Sequence, residues 1–121
     1  MLKNIGYGLA AIGLVACAAT QYDPEIFHLT SDVYFINEIK AASFDRNGTT
    51  IVNITGTSSS DTTVFYRVVW LDENGTPIRT TLSNPVEARV RAEVPFNWTA
   101  VAPNNDTHKY QVFISGRVIN Q

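Results

Sequence analysis

Apolar and polar side chains alternate strictly over residues 86–100, and this pattern constrains the fold more than any other in the chain. Valine, alanine, phenylalanine and tryptophan fill the even positions, and charged or polar residues fill every odd position except Pro95. A period of two is that of a β-strand with one buried face, whereas a helix repeats every 3.6 residues. Because proline cannot donate to a strand ladder, we predict two strands with a bend or turn near residues 92–95, or an edge position there.

Three further segments have the composition of strands. Residues 50–56 alternate in the same way, and residues 62–71 are rich in β-branched and aromatic residues, with apolar side chains on both faces. Residues 110–118 place Tyr110, Val112 and Ile114 on one side. The second of these predicts a central strand. Asn-Gly pairs at residues 47–48 and 74–75 predict tight turns, because both residues tolerate positive φ. Residues 36–42 are the only helical candidate and are too short to distinguish from a first strand.

Together these patterns predict an all-β fold. Strands separated by turn signals every eight to twelve residues, without a long helix, are typical of an antiparallel immunoglobulin-like β-sandwich of about seven strands. A small barrel is the alternative. A chain of 121 residues has room for one such domain.

The N-terminal segment has the features of an export signal. Residues 5–16 form an apolar run, which is too short for a membrane-spanning helix of roughly 18 residues or more. It ends in Leu-Val-Ala-Cys, which matches the bacterial lipobox, so we predict cleavage before Cys17 and acylation of its thiol. The predicted organisation is a lipoprotein signal peptide over residues 1–16, a lipidated tether over 17–31 and a β-sandwich domain over 32–121.

Acylation of Cys17 would anchor the protein to a lipid bilayer, because each buried CH₂ contributes about 0.8 kcal/mol. Ala18 follows the cysteine, where inner-membrane retention usually requires aspartate, so we expect the outer membrane, with the domain in the periplasm. The opposite orientation stays open. Cys17 is the only cysteine, so no disulfide can form within the domain.

Charge and histidine content exclude several classes of ligand. Loss of Lys3 with the signal would leave 11 acidic against 8 basic residues, and the arginines are dispersed, which argues against a nucleic-acid partner. His28 and His108 are the only histidines, and no spacing of carboxylates around them suggests a metal site. We therefore expect neither a metal nor another cofactor.

No residue pattern predicts catalysis. Serines and an aspartate at residues 58–61 have the composition of a turn. Asp72 and Glu73 are neighbours on another turn, so their carboxylates point in different directions and stay solvated. We therefore expect a protein that is not an enzyme.

Trp70 and Trp98 could stack on a sugar or peptide. Both lie on apolar faces of alternating segments, however, and core packing is the favoured interpretation.

Asn-x-Thr tripeptides occur at five positions, and two of them, at Asn47 and Asn74, have the additional acid two residues earlier that bacterial N-glycosylation requires. Both are also Asn-Gly turns, and we favour the turn interpretation.

Three segments of the chain carry recognisable motifs: Tyr-Arg-x-x-Trp at residues 66–70 running into Asp-x-x-Gly at 72–75, Ala-Val-Ala-Pro at 100–103, and an aromatic-x-x-x-Ile strand at 110–114. Together they resemble the YcfL family of small periplasmic lipoproteins. The resemblance implies an immunoglobulin-like sandwich and a lipidated Cys17, and it implies no catalytic residues. The chain lacks the glycine-rich turn that often precedes the penultimate strand of the family and has Arg-Ala-Glu-Val there.

The leading functional hypothesis is a non-enzymatic, lipid-anchored module that binds another envelope protein through an edge strand or the end loops. The alternative is a carbohydrate- or peptidoglycan-binding sandwich that uses Trp70 or Trp98.

Overall fold

The computed structural model describes residues 21–117, which form seven strands. In chain order they are β1 (Phe27–Leu29), β2 (Ile36–Arg46), β3 (Thr49–Ser58), β4 (Thr62–Leu71), β5 (Val86–Val90), β6 (Phe96–Val101) and β7 (Lys109–Ser115). Two short 3₁₀ helices, Ser31–Val33 and Thr81–Ser83, are the only helical elements in this range. The all-β prediction is confirmed, and the ambiguous residues 36–42 belong to β2.

The strands form two sheets that pack as a sandwich. One sheet has the order β1-β7-β4-β5 and the other has the order β2-β3-β6. Every pair is antiparallel except β1 with β7. Between the sheets, the rings of Tyr66 on β4 and Trp98 on β6 stack at a centroid distance of 4.1 Å. β4 has a partner on both sides, which confirms the central strand predicted from its apolar composition.

The long alternating segment is divided between the two sheets. β5 ends at residue 90, β6 begins at residue 96, and the residues between them cross from one sheet to the other. In this turn Glu93 has φ 66°, and the Val94 amide donates to the Arg91 carbonyl at 3.2 Å. Glu93 therefore occupies a left-handed conformation, which favours the glycine that the sequence lacks here. The predicted break near residues 92–95 is confirmed.

β2 and β3 form a hairpin with a two-residue turn. Asn47 and Gly48 have φ of 53° and 87°. Positive φ at both central residues is the requirement of the type I′ turn, whose twist matches that of the strands. The other Asn-Gly pair is also a turn, after which the chain returns beside β4, where the Ile78 amide donates to the Trp70 carbonyl at 2.8 Å.

The packed domain begins earlier than residue 32, the boundary expected from the sequence. β1 lies within residues 17–31, which were expected to be a tether, and Phe27 is buried in the core. The Val112 amide donates to the Ile26 carbonyl at 2.8 Å, which fixes β1 beside β7. A three-residue strand shows no period in the sequence, so composition alone suggested a linker. Cys17 and the predicted signal peptide lie outside the described residues.

The Asp32 carboxylate connects the N-terminal and C-terminal segments of the domain. Its oxygens accept hydrogen bonds from the Thr30 hydroxyl and from the Gly116 amide at 3.2 Å, and they pair with Arg117 at 3.4 Å. These bonds stabilise the charged carboxylate and so lower the pKa of Asp32 below its ordinary value. The hydrogen bond from Thr30 has the largest effect, and the one from Gly116 has the next largest.

An Asp32→Asn substitution is expected to make stability less dependent on acid pH. Because the folded-state pKa is depressed, the carboxylate contributes stability above its unfolded-state pKa of about 3.9, and this contribution is lost as pH falls through the folded value. The side chain is 34% exposed, so we expect a loss of less than about 1 kcal/mol at pH 7. Urea unfolding at pH 7 and pH 3 measures the loss of stability and its dependence on pH. Glu87→Gln, which removes an exposed carboxylate on β5, is the control. If the free energy of unfolding of Asp32→Asn differed from that of wild type by the same amount at both pH values, the expectation would be contradicted.

Candidate interaction surface

The outer edge of β2 carries backbone groups that no strand of residues 21–117 pairs with. At its start, Gln21 covers this edge: the Gln21 amide donates to the Asn37 carbonyl at 3.2 Å, and the Ile39 amide donates to the Gln21 carbonyl at 3.1 Å. Odd-numbered residues of β2 therefore direct their amide and carbonyl groups away from β3. The register with β3 is continuous after Glu38, so Ala41, Ser43 and Asp45 do the same.

An apolar row crosses the outer face of the sheet beside this free edge. Phe44 of β2 pairs with Ile51 of β3, which pairs with Val101 of β6. Phe44 and Val101 are 40% and 45% exposed, whereas Ile51 between them is buried outside the main core cluster. The Arg46 guanidinium lies 5.8 Å from the Phe44 ring centroid. A strand added to β2 would place side chains next to this row.

A second open surface lies where the two sheets separate. A groove of about 230 Å³ adjoins the free edge of β6 and the 3₁₀ helix Thr81–Ser83. Its lining contains no charged side chain, and Leu82 and Val86 at its rim are 50% and 45% exposed.

The larger groove, of about 350 Å³, lies beside the C-terminal half of β4. Its lining includes Arg67, Arg79, Thr80, Ser83 and Asn84, together with apolar residues, and contains no carboxylate, histidine or cysteine. The arginine side chain has five N–H donors and no acceptor. The groove therefore brings together no pair of groups suited to acid–base or nucleophilic catalysis.

The two histidines lie far apart in the fold. His28 of β1 stacks on Phe113 with ring centroids 4.6 Å apart, and the ring nitrogen Nδ1 of His108 hydrogen-bonds the Thr50 hydroxyl at 2.7 Å. Within residues 21–117, no three side chains of histidine, cysteine, aspartate or glutamate come together as metal ligands would. Between the same limits, no helix is both long and apolar enough to span a bilayer.

The polar turns are stabilised by their own side chains. Ser58 Oγ donates to the Ser60 carbonyl at 2.8 Å and accepts from the Ser60 amide at 3.1 Å. Asp72 accepts from the amides of residues 74 and 76, both at 2.9 Å. These bonds are ordinary turn chemistry, as the sequence predicted.

The acids that precede the two Asn-Gly pairs have the same role. Asp45 accepts from the Gly48 amide at 3.2 Å, just as Asp72 closes the other turn. Turn formation therefore accounts for an acid two residues before Asn47 and Asn74.

Both tryptophans belong to the core. Trp70 is 0% exposed and Trp98 is 8% exposed, with Trp98 stacked on Tyr66 and on Phe96. Their core interpretation is confirmed, and neither ring offers a face on which a sugar could stack.

Comparison with known proteins places the chain in a family. The family described as "Protein of unknown function (DUF1425)" matches residues 28–116. No curated protein matches the chain. Cj0090 of Campylobacter jejuni has a similar structure, with a TM-score of 0.63 and 19% identity over 75% of this chain and 97% of that one. A DUF1425 family member from Shewanella sp. PV-4 has a TM-score of 0.60 and 19% identity over 68% and 79%. At this level of identity the likeness shows the fold, and the family match shows that the chain belongs to the DUF1425 family.

Proposed function

We propose that this protein is a non-enzymatic, lipid-anchored module of the bacterial cell envelope that binds a partner protein by strand addition at the free edge of β2. The lipobox at residues 14–17 and the resemblance to the YcfL family support acylation of Cys17. Ala18 supports the outer membrane as the site of the anchor, with the domain in the periplasm.

The observation that carries the proposal is the row of outward backbone groups at Ala41, Ser43 and Asp45. An extended segment of a partner can satisfy these groups through main-chain hydrogen bonds, and alternate side chains of that segment supply specificity. Natural proteins usually protect such strand edges, because an unpaired edge can bind strands of other chains. Here Gln21 covers the edge only at Glu38, and residues 41–45 stay uncovered by any other described segment.

The apolar row beside the edge gives the partner a defined chemistry. Phe44 is nearest to the added strand, so we expect an apolar or aromatic residue of the partner to pack against it. The Arg46 guanidinium at the end of the row favours a carboxylate on the partner. The proposed partner is thus an extended segment with an apolar side chain and an acidic neighbour.

Ser43→Pro is expected to weaken partner binding while leaving the fold intact. The Ser43 amide points away from β3, so proline removes only the outward donor and places its ring in the path of the added strand. We expect at least about a tenfold loss of binding, the equivalent of one hydrogen bond. The loss of binding is measured by the yield of crosslinked partner: benzoylphenylalanine at residue 40 is photo-crosslinked in cells and the product is identified by mass spectrometry.

Ser43→Ala is the matched control, since it keeps the backbone donor and should retain the crosslink. Thermal unfolding of both variants verifies that the domain remains folded. An identical crosslinked partner in Ser43→Pro and wild type would contradict strand addition at β2, and so would the lack of any crosslink.

A further inference from the structure

The strand registers define two ends of the sandwich. At one end, which we name the proximal end, lie residues 34–35, 58–61 and 91–95; at the other, the distal end, lie residues 47–48, 72–75 and 103–108. Backbone hydrogen bonds join the proximal segments into one surface. The Ser59 amide donates to the Phe35 carbonyl at 2.9 Å, and the Glu93 amide donates to the Ser58 carbonyl at 3.0 Å.

The proximal end carries the two most exposed large hydrophobic residues of the described range. Tyr34 is 80% exposed and Val94 is 51% exposed. Tyr34 follows the 3₁₀ helix Ser31–Val33, and Val94 follows the left-handed Glu93 in the turn between the sheets. Both side chains are held by short, hydrogen-bonded turns, so their exposure is built into the fold.

The first described residue lies near the same end. Gln21 pairs in parallel with Glu38, close to the start of β2, which begins at the proximal end. Only residues 18–20 separate Cys17 from Gln21. Since each residue spans at most about 3.6 Å, the Cα atoms of Cys17 and Gln21 lie within about 14 Å of each other in any conformation.

We infer that the proximal end is a lipid-docking face: when Cys17 is acylated, Tyr34 and Val94 enter the interfacial layer of the membrane that holds the anchor. This inference rests on the proposed lipidation. A tether of this length keeps Gln21 within about 14 Å of the acylated cysteine, so the proximal end is the end of the sandwich nearest the bilayer. Tyrosine suits the position because its ring is apolar and its hydroxyl stays hydrated at the headgroup level.

The distribution of charge favours the same orientation. The distal end carries four carboxylates, those of Asp45, Asp72, Glu73 and Asp106, against the two cationic side chains of Arg46 and Lys109. Anionic headgroups would repel this end. At the proximal end, Asp61 is hydrogen-bonded to the Ala92 amide, Asp32 pairs with Arg117, and Arg91 offsets Glu93. The free edge of β2 and the distal end would then face away from the lipid, where a partner can reach them.

The test uses the full chain expressed in a Gram-negative host and reconstituted in vesicles of phosphatidylethanolamine and phosphatidylglycerol. An acylated Cys17 has no free thiol, so Val94→Cys or Asn74→Cys supplies the only site for an NBD label, at the proximal and distal ends respectively. Doxyl-labelled lipids quench NBD at membrane depth. We expect at least about threefold more quenching at residue 94 than at residue 74, because interfacial groups lie about 5–10 Å into the headgroup boundary. Tyr34→Ser in the Val94→Cys background should reduce that quenching.

Intact mass and membrane fractionation, with Cys17→Ala as the control, separate the two possible failures. If the protein is acylated but quenching is equal at both labels, the proposal of a docking face is wrong and the lipidation of Cys17 is supported. An unmodified, soluble mature chain would overturn the lipidation and the docking face together. In either case the crosslinking from residue 40 decides separately on strand addition.

Discussion

Gly56→Ala is expected to destabilise the domain strongly. Gly56 lies in β3, opposite Ile39 of β2 and Phe96 of β6. An added Cβ would come within 2.4 Å of the Glu38 carbonyl oxygen and 2.5 Å of Phe96 Cζ. The carbonyl belongs to the backbone and cannot rotate away, and the ring is packed in the core. Overpacking of this kind costs about 1–3 kcal/mol and sometimes more, and we expect about 3 kcal/mol or more here.

Thermal and urea unfolding, followed by tryptophan fluorescence, measure this loss. For a domain of this size, 3 kcal/mol corresponds to a fall in Tm of about 12–24 °C. Gly75→Ala is the control: its Cβ would meet no atom within 4 Å, although the residue has φ 83°. The left-handed conformation should cost it about 1–2 kcal/mol. Equal effects of the two substitutions would show that Phe96 does not close over Gly56.

Trp70→Ala is expected to destabilise the domain by about 3–5 kcal/mol, the range for removal of a large buried side chain. Trp70 is fully buried in β4, with the Tyr110 ring 5.9 Å away on β7. The lost ring would leave a cavity between the two sheets that the strands cannot close without shifting. Urea unfolding followed by far-UV circular dichroism measures the change.

Trp70→Phe separates volume from hydrogen bonding at the same position. The indole Nε1 is buried and has no hydrogen-bond partner among residues 21–117. Phenylalanine removes this unsatisfied donor together with part of the ring, so the two effects oppose each other. We expect a cost below about 1.5 kcal/mol. A cost for Trp70→Phe close to that of Trp70→Ala would contradict the expectation that loss of the unsatisfied N–H offsets part of the lost packing.

The sequence predicted the parts of the fold that depend on local chemistry. Pro95 and the alternating residues around it located the crossing between β5 and β6, and Asn47 with Gly48 located the type I′ turn. The burial of Trp70 and Trp98 also followed from their positions on apolar faces. Each of these depends on the period of a strand or the φ of a turn, which neighbouring residues determine.

The sequence did not predict the parts that depend on contacts between distant segments. β1 has only three residues and forms by pairing in parallel with β7, so no local sequence pattern predicted it. Likewise, the free edge of β2 is defined by which strands lie beside it, and the partial cover by Gln21 comes from a residue 17 positions away from Glu38. Apolar exposure at Tyr34 had no sequence signal, because tyrosine is common both inside and outside domains.

The pairing of Gln21 with β2 has a mechanical consequence. A pull on an acylated Cys17 would first load the two hydrogen bonds of Gln21, which donates to the Asn37 carbonyl and accepts from the Ile39 amide. Both bonds lie across the strand direction, so a force along β2 strains them together in shear and does not open them one after the other. Beyond them the chain leads to the buried ring of Phe27. Tension between the membrane and a partner held at β2 would therefore be carried by the sheet that contains the binding edge.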